Sequence, residues 1–229
     1  MHSDLSMRFL SKAIAIAWKD VLSETRTKET VSSVLVFALL VIVIFNFAFS
    51  ANQETMNLVA PGILWVTFAF AGVLSLNRAF IMERDESCLE GLMACPVSRE
   101  TIYVGKLMGS LLFMLVVEAV TLPIFALLFN IAVLSPQLIA ITFLTTVGFA
   151  AVGTLFSAMA VNTRAREMVL PILFLPIVTP IIISAVNASE LALSSKDWGS
   201  LASWLQIIVA FDVIFLVVSY LIFAFVIEE

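Results

Sequence analysis

The sequence predicts an all-α membrane protein with six transmembrane helices, on three observations. The 229-residue chain is 62% hydrophobic and only 13% charged, against about 25% charged in soluble domains. Its mean hydropathy is +1.10. Its apolar runs are about 20 residues long, the length a helix needs to cross the hydrocarbon core of a bilayer. So many long, charge-free runs leave little room for a soluble helical bundle.

The elements follow in chain order. Residues 1–29 hold no short apolar core with a small-residue cleavage site, so no secretory signal is expected there. In MRFLSKAIAIAWKDVL, Leu10, Ile14, Ala17, Val21 and Leu22 share one helical face and Arg8, Ser11, Lys12 and Lys19 another. With Trp18 between them, this reads as an amphipathic helix lying in the membrane interface. An ordinary amphipathic cytoplasmic helix is the alternative. Spans are expected at 31–50, 59–79, 104–130, 137–161, 168–187 and 204–227, joined by short connections. One transmembrane domain thus covers 1–229, with a charged loop at 80–103 and an interfacial segment at 188–203 carrying Leu191, Leu193, Trp198 and Trp204.

Basic residues set the orientation. Eleven of the twelve Lys and Arg lie in the N-terminal segment, the second loop and the fourth loop; Lys196 stands alone on the other side. Both termini and the charged loop are therefore expected in the cytoplasm. Cys88 and Cys95 lie in that loop, match no CxxC pattern, and are expected as reduced thiols.

The charged loop carries its own pattern. Over 84–96, Cys88, Leu89, Leu92 and Met93 fall on one helical face. Asp85, Glu86 and Glu90 crowd the start and the other face, where a helix N-terminus favours acids. Pro96 ends the segment, and Ser98 can cap a new helix with Glu100 in its first turn. An apolar stripe facing water seeks a partner groove. Lipid headgroups are the alternative cover, but the acids disfavour a negative leaflet.

Three features interrupt the apolar runs. Glu118 lies near the middle of the third span and Asp212 about two turns inside the sixth. A charge at the bilayer centre costs about 2.5–3.5 kcal/mol on insertion scales, and no Lys or Arg lies in a span core. Each acid reads either as a polar spot on a substrate path or as a helix–helix contact. Pro171, Pro176 and Pro180 remove three hydrogen bonds from the fifth span. They predict a bent or two-part helix at a subunit contact, with a plain kink as the alternative.

PGILWVTFAFAGVLSLNRAF (61–80) followed by LEGLMACPVSRETIYVGK (89–106) resembles the haem exporter protein B family, CcmB. The matching residues are Pro61-Gly62, Leu64-Trp65, Leu74-Ser75-Leu76, Arg78, Phe80, Leu89-Glu90, Leu92, Pro96 and Lys106. Asn77, where the family often carries an acid, and Ser87-Cys88, in place of Gly-Thr, depart from it. The resemblance implies an ABC-2-like permease of the cytochrome c maturation complex in the inner membrane. Its cytoplasmic coupling helix would dock in an ATPase subunit. Leu89, Leu92 and Met93 would fill the cleft, with Arg84, Asp85, Glu86 and Glu90 around its rim. Other cytochrome c maturation subunits and a periplasmic haem chaperone would be further partners.

The chain itself shows no site for ATP. Its Gly105-Lys106 pair has Glu100 where a phosphate-binding loop needs its first glycine. Hydrolysis is thus expected on another subunit, and this chain is not expected to be an enzyme. The single histidine is His2, so imidazole ligation of haem inside the membrane is excluded; Met and Cys remain, and the nine Met read as packing. No cofactor, metal cluster or nucleic-acid patch is expected. The resemblance associates the complex with haem export or with ATP-driven release of a haem-loaded chaperone. An ABC-2 permease for a lipid, glycan or drug is the alternative. A proton-coupled transporter using Glu118 and Asp212 would show matching halves, and 31–130 and 137–227 do not match.

Overall fold

The computed structural model describes residues 2–27, 29–49, 53–85, 97–131, 135–161, 166–194 and 197–226. They form seven helices: α1 (His2–Thr27), α2 (Glu29–Phe49), α3 (Gln53–Asp85), α4 (Arg99–Phe129), α5 (Pro136–Val161), α6 (Arg166–Leu193) and α7 (Trp198–Val226). Helices α2 to α7 are each long and apolar enough to cross a membrane. Among the described residues there is no strand. An all-helical membrane protein is what lipid demands, because each backbone N–H and C=O must find its partner within its own segment.

Burial sorts the helices into centre and rim. The spans of α5 and α3 are 72% and 67% buried, whereas those of α2, α4 and α7 are 17–28% buried. The rim helices turn outward a surface of Val, Leu, Ile and Phe that suits acyl chains. The centre closes differently. Lipid tails are as apolar as Leu, so association relies on close packing and interhelical hydrogen bonds rather than on the hydrophobic effect. Helix α5 supplies small residues for this: Ala150 and Ala151 are buried, Gly153 receives Leu76 of α3, and Gly148 receives Asp212 of α7 and Ile181 of α6. Two aromatic contacts lock the middle layer. The Trp65 indole N–H donates to Ser189 Oγ at 2.9 Å, and Phe149 meets Phe174 edge-on at 5.3 Å.

The structure corrects two of the expected segments. Helix α6 runs through Pro171, Pro176 and Pro180 as one helix, which removes the two-part form but not the expected bend. Leu170, Phe174, Val178, Ile181, Ala185 and Ala188 form a fully buried stripe along it, so neighbouring helices hold it across the prolines. Pro176 and Pro180 fall on the exposed face, where their lost hydrogen bonds cost the packed side nothing. Nor is 188–203 a separate interfacial segment. Ala188, Ser189 and Ala192 extend the buried stripe of α6, and α7 already begins at Trp198. The Trp65–Ser189 bond and those small side chains carry the packing past the expected boundary at residue 187.

The close approaches are directly testable. Gly153→Val should force Leu76 out of its seat and lower stability by about 1–3 kcal/mol, the usual range for overpacking. Gly62 has nothing within 4 Å of an added Cβ. Gly62→Ala should therefore hold or gain up to about 1 kcal/mol from helix propensity. Thermal unfolding in detergent of both variants, side by side, checks the pair.

Candidate functional site

The end of the bundle where α3 finishes and α4 begins holds Arg84, Asp85, Ser98, Glu100 and Lys106. Helix α3 does not stop at the expected span boundary near residue 79; it continues to Asp85. Arg84 and Asp85 thus close α3 instead of opening a separate helix. Glu86, Leu89, Glu90, Leu92 and Met93 lie outside the described residues. Helix α4 starts at Arg99 with Ser98 in an extended N-cap conformation and Glu100 in the first turn. The Ser98 hydroxyl does not cap the backbone; it pairs with Thr101 Oγ1 at 2.7 Å, and the Thr101 N–H takes the Ser98 carbonyl at 3.0 Å.

The first three turns of α4 are held from several sides. Arg99 Nη1 donates to the Ala224 carbonyl of α7 at 3.2 Å. Tyr103 OH donates to the Ala151 carbonyl of α5 at 3.2 Å and packs on Phe223 at 5.1 Å. Lys106 Nζ donates to Asp20 Oδ2 of α1 at 2.9 Å, and Lys106 is only 4% exposed. The α1–α4 contact is built from small residues. Gly105 and Gly109 on α4 face Ala13, Ile16 and Asp20 on α1, and a Cβ at Gly105 would sit 2.7 Å from that of Ile16. Ala13 and Ala17 are both buried, so each helix brings two small residues four apart. That is the small-xxx-small pattern of close helix pairs in membranes.

This seam revises the expected faces of α1. Ala17 belongs to the buried α4 side, not to the outer apolar stripe. The stripe left outside is Leu10, Ile14, Trp18 and Leu22, 43–66% exposed. Sequence reasoning missed the seam although both signals were legible: Gly105-x-x-x-Gly109 opposite Ala13-x-x-x-Ala17. The Gly105-Lys106 pair, which does not fit a phosphate loop, is a helix-packing element.

The two intramembrane acids occupy different places. Glu118 on α4 is buried, and Thr146 Oγ1 of α5 lies 2.7 Å from its Oε1. The same hydroxyl lies 2.7 Å from the Thr142 carbonyl. The Thr146 hydroxyl proton is thus shared between the Glu118 carboxyl and the Thr142 carbonyl. Glu118 also borders a void of about 10 Å³ with Ser75 and Gly72. Asp212 is 5% exposed, seated against Gly148, and neither of its oxygens has a hydrogen-bond partner among the described residues. Thr146 and Gly148 are two residues apart, so they point about 200° apart around α5 and about 3 Å apart along it. The acids therefore flank the central helix at one level and do not form a single carboxylate site.

If Glu118 acts as a helix–helix contact, Glu118→Gln should keep both the fold and the function, since an amide oxygen can still accept from Thr146. Glu118→Leu should lower stability by about 0.6–1.7 kcal/mol, the range for interhelical hydrogen bonds in membranes. Detergent unfolding midpoints and complementation of a deletion strain measure the two effects. A Gln variant that assembles but does not function would show that the carboxyl group acts beyond the contact.

Comparison with known proteins adds the remaining evidence. The model of the family described as CcmB protein matches residues 11–228. Heme exporter protein B of Paracoccus denitrificans (strain Pd 1222) is 27% identical over 184 residues, 80% of this chain and 84% of that protein. Its counterpart from Pseudomonas aeruginosa is 24% identical over 186 residues, 81% of this chain and 83% of that one. Heme exporter protein B of Haemophilus influenzae is 27% identical over 175 residues, 76% and 79% of the two chains. The family match runs from the α1–α4 seam through all six spans, and the chain belongs to the CcmB protein family.

Proposed function

We propose that this chain is the membrane permease subunit of an ABC-type complex serving c-type cytochrome biogenesis. ATP is hydrolysed on a separate cytoplasmic subunit, and the complex works in haem export or in ATP-driven release of a haem-loaded chaperone. The observation that carries this reading is the family membership over residues 11–228, joined to the geometry around the charged segment. The span of α3 is expected to end near residue 79, yet the helix continues to Asp85. Six more residues carry it about 9 Å further at 1.5 Å per residue. The segment between Asp85 and Arg99 is thus bracketed by two long helices. That is a suitable mount for a docking element. Leu89, Leu92 and Met93 supply its apolar stripe, and Arg84, Asp85, Glu86 and Glu90 its charged rim.

The excess of basic residues at this end supports a cytoplasmic location for it and for both termini, and the cytochrome reading supports the inner membrane. Other membrane subunits of the assembly would cover the outward face of α6. There Pro176, Thr179 and Pro180 are exposed, and two proline-freed backbone carbonyls suit protein better than lipid.

Deleting the gene in its host and staining membrane proteins for covalent haem tests the proposal. Loss of c-type haem bands, restored by wild type and not by Leu89→Asp/Leu92→Asp at equal membrane level, is the expected result. Two buried aspartates in an apolar cleft should cost several kcal/mol, enough to abolish docking. Bands that persist in the deletion strain would remove the cytochrome assignment and leave a permease for a lipid, glycan or drug.

A further inference from the structure

The α1–α4 seam does more than anchor a surface helix. We infer that Asp20 and Lys106 are positioning residues that make α1 and the root of α4 move as one body, so that α1 carries displacement of the α4 N-terminus at Arg99 into the membrane surface. The inference rests on the proposed coupling to an ATPase subunit.

Three observations support it. First, the seam is closely packed at the root of α4. Arg99 and Tyr103 bond carbonyls of α7 and α5 at 3.2 Å, and Tyr103 packs on Phe223. The tie to α1 is a charged pair at 2.9 Å beside close backbone approach, where Gly105 and Gly109 admit Ile16 and Asp20.

Second, the pair sets register. A buried ion pair adds little net stability because desolvation consumes most of the attraction, yet breaking it strands a charge. Small residues four apart would allow α1 to slip by one turn along α4. Asp20 against Lys106 permits only one alignment. Third, α1 faces three ways. Ala13, Ile16, Ala17 and Asp20 meet α4, while Leu10, Ile14, Trp18 and Leu22 point outward. The centres of these two stripes lie about 130° apart around the helix at 100° per residue. The outer stripe seats α1 in the interface, so α1 spreads a local pull over the lipid surface.

The test uses the full chain in its host. Asp20→Lys, Lys106→Asp and the double reversal are each expressed in the deletion strain. Covalent haem is normalised to membrane level by immunoblot. Each single reversal should cut haem per inserted molecule by roughly fivefold or more, the size of an ordinary coupling free energy. The double reversal should recover most of it. If a single reversal fails to accumulate, Asp20→Asn and Lys106→Met give the same comparison with less strain. A merely structural pair would lower the membrane level while leaving haem per molecule unchanged, and that result overturns the inference. Wild type failing to restore haem would instead overturn the cytochrome reading, and the inference would fall with it.

Discussion

The burial of Lys106 against Asp20 is the constraint around which this end of the molecule is arranged. A lysine 4% exposed at the mouth of a membrane span needs a partner within reach. The partner comes from α1, and α1 can approach only because Gly105 and Gly109 bare the α4 backbone. That approach settles the rest of α1. Ala13 and Ala17 must be small, the long apolar side chains must turn outward, and Lys12 and Lys19 must lie along the remaining edge. A helix that reads as a simple two-faced amphipath is in fact three-faced.

The same economy of small residues governs the centre of the bundle. Within a bilayer the apolar surface of a helix gains nothing by leaving lipid for protein. What holds α5 among its neighbours is therefore contact distance and a few polar bonds. Gly148 and Gly153 allow Asp212 and Leu76 to reach the α5 backbone. Thr146 reaches Glu118, and Trp65 reaches Ser189. Polar groups that look like candidates for transport are thus spent, at least in part, on assembling helices. Glu118 has a bonding partner and a neighbouring void; Asp212 has close packing and no bond.

Most of the fold was legible because bilayer thickness leaves a coarse signature. Six runs of suitable length gave six spans, and short connections gave their order. What hydropathy could not show was where packing extends or overrides it. Helix α6 reaches Leu193 because Ser189 bonds Trp65, a pairing 124 residues apart in the chain. Three prolines suggested a break, but a break needs the lost hydrogen bonds to matter on the packed side, and Pro176 and Pro180 face outward. The α1–α4 seam was present in the spacing of Gly105, Gly109, Ala13 and Ala17. It went unread because one helix was judged by its hydrophobic face and the other by its fit to a nucleotide loop. The residues that carry the family resemblance include Trp65, Ser75, Leu76 and Lys106, and each is now seen at an interhelical contact or beside the void.

The arrangement also explains why so apolar a chain keeps a charged segment between α3 and α4. A membrane helix can be moved from outside only through its ends, since its flanks slide against lipid or neighbours with little grip. Extending α3 to Asp85 gives one stiff end, and starting α4 at Arg99 gives another. A force applied between them acts on two helices at once. On α3 such a force would meet a well-buried span, where Trp65 and Leu76 are fully packed. On α4 it would meet a less buried span whose root is tied to α7, to α5 and, through Lys106 and Asp20, to the surface helix α1. The difference in burial makes α4 with α1 the side more open to movement.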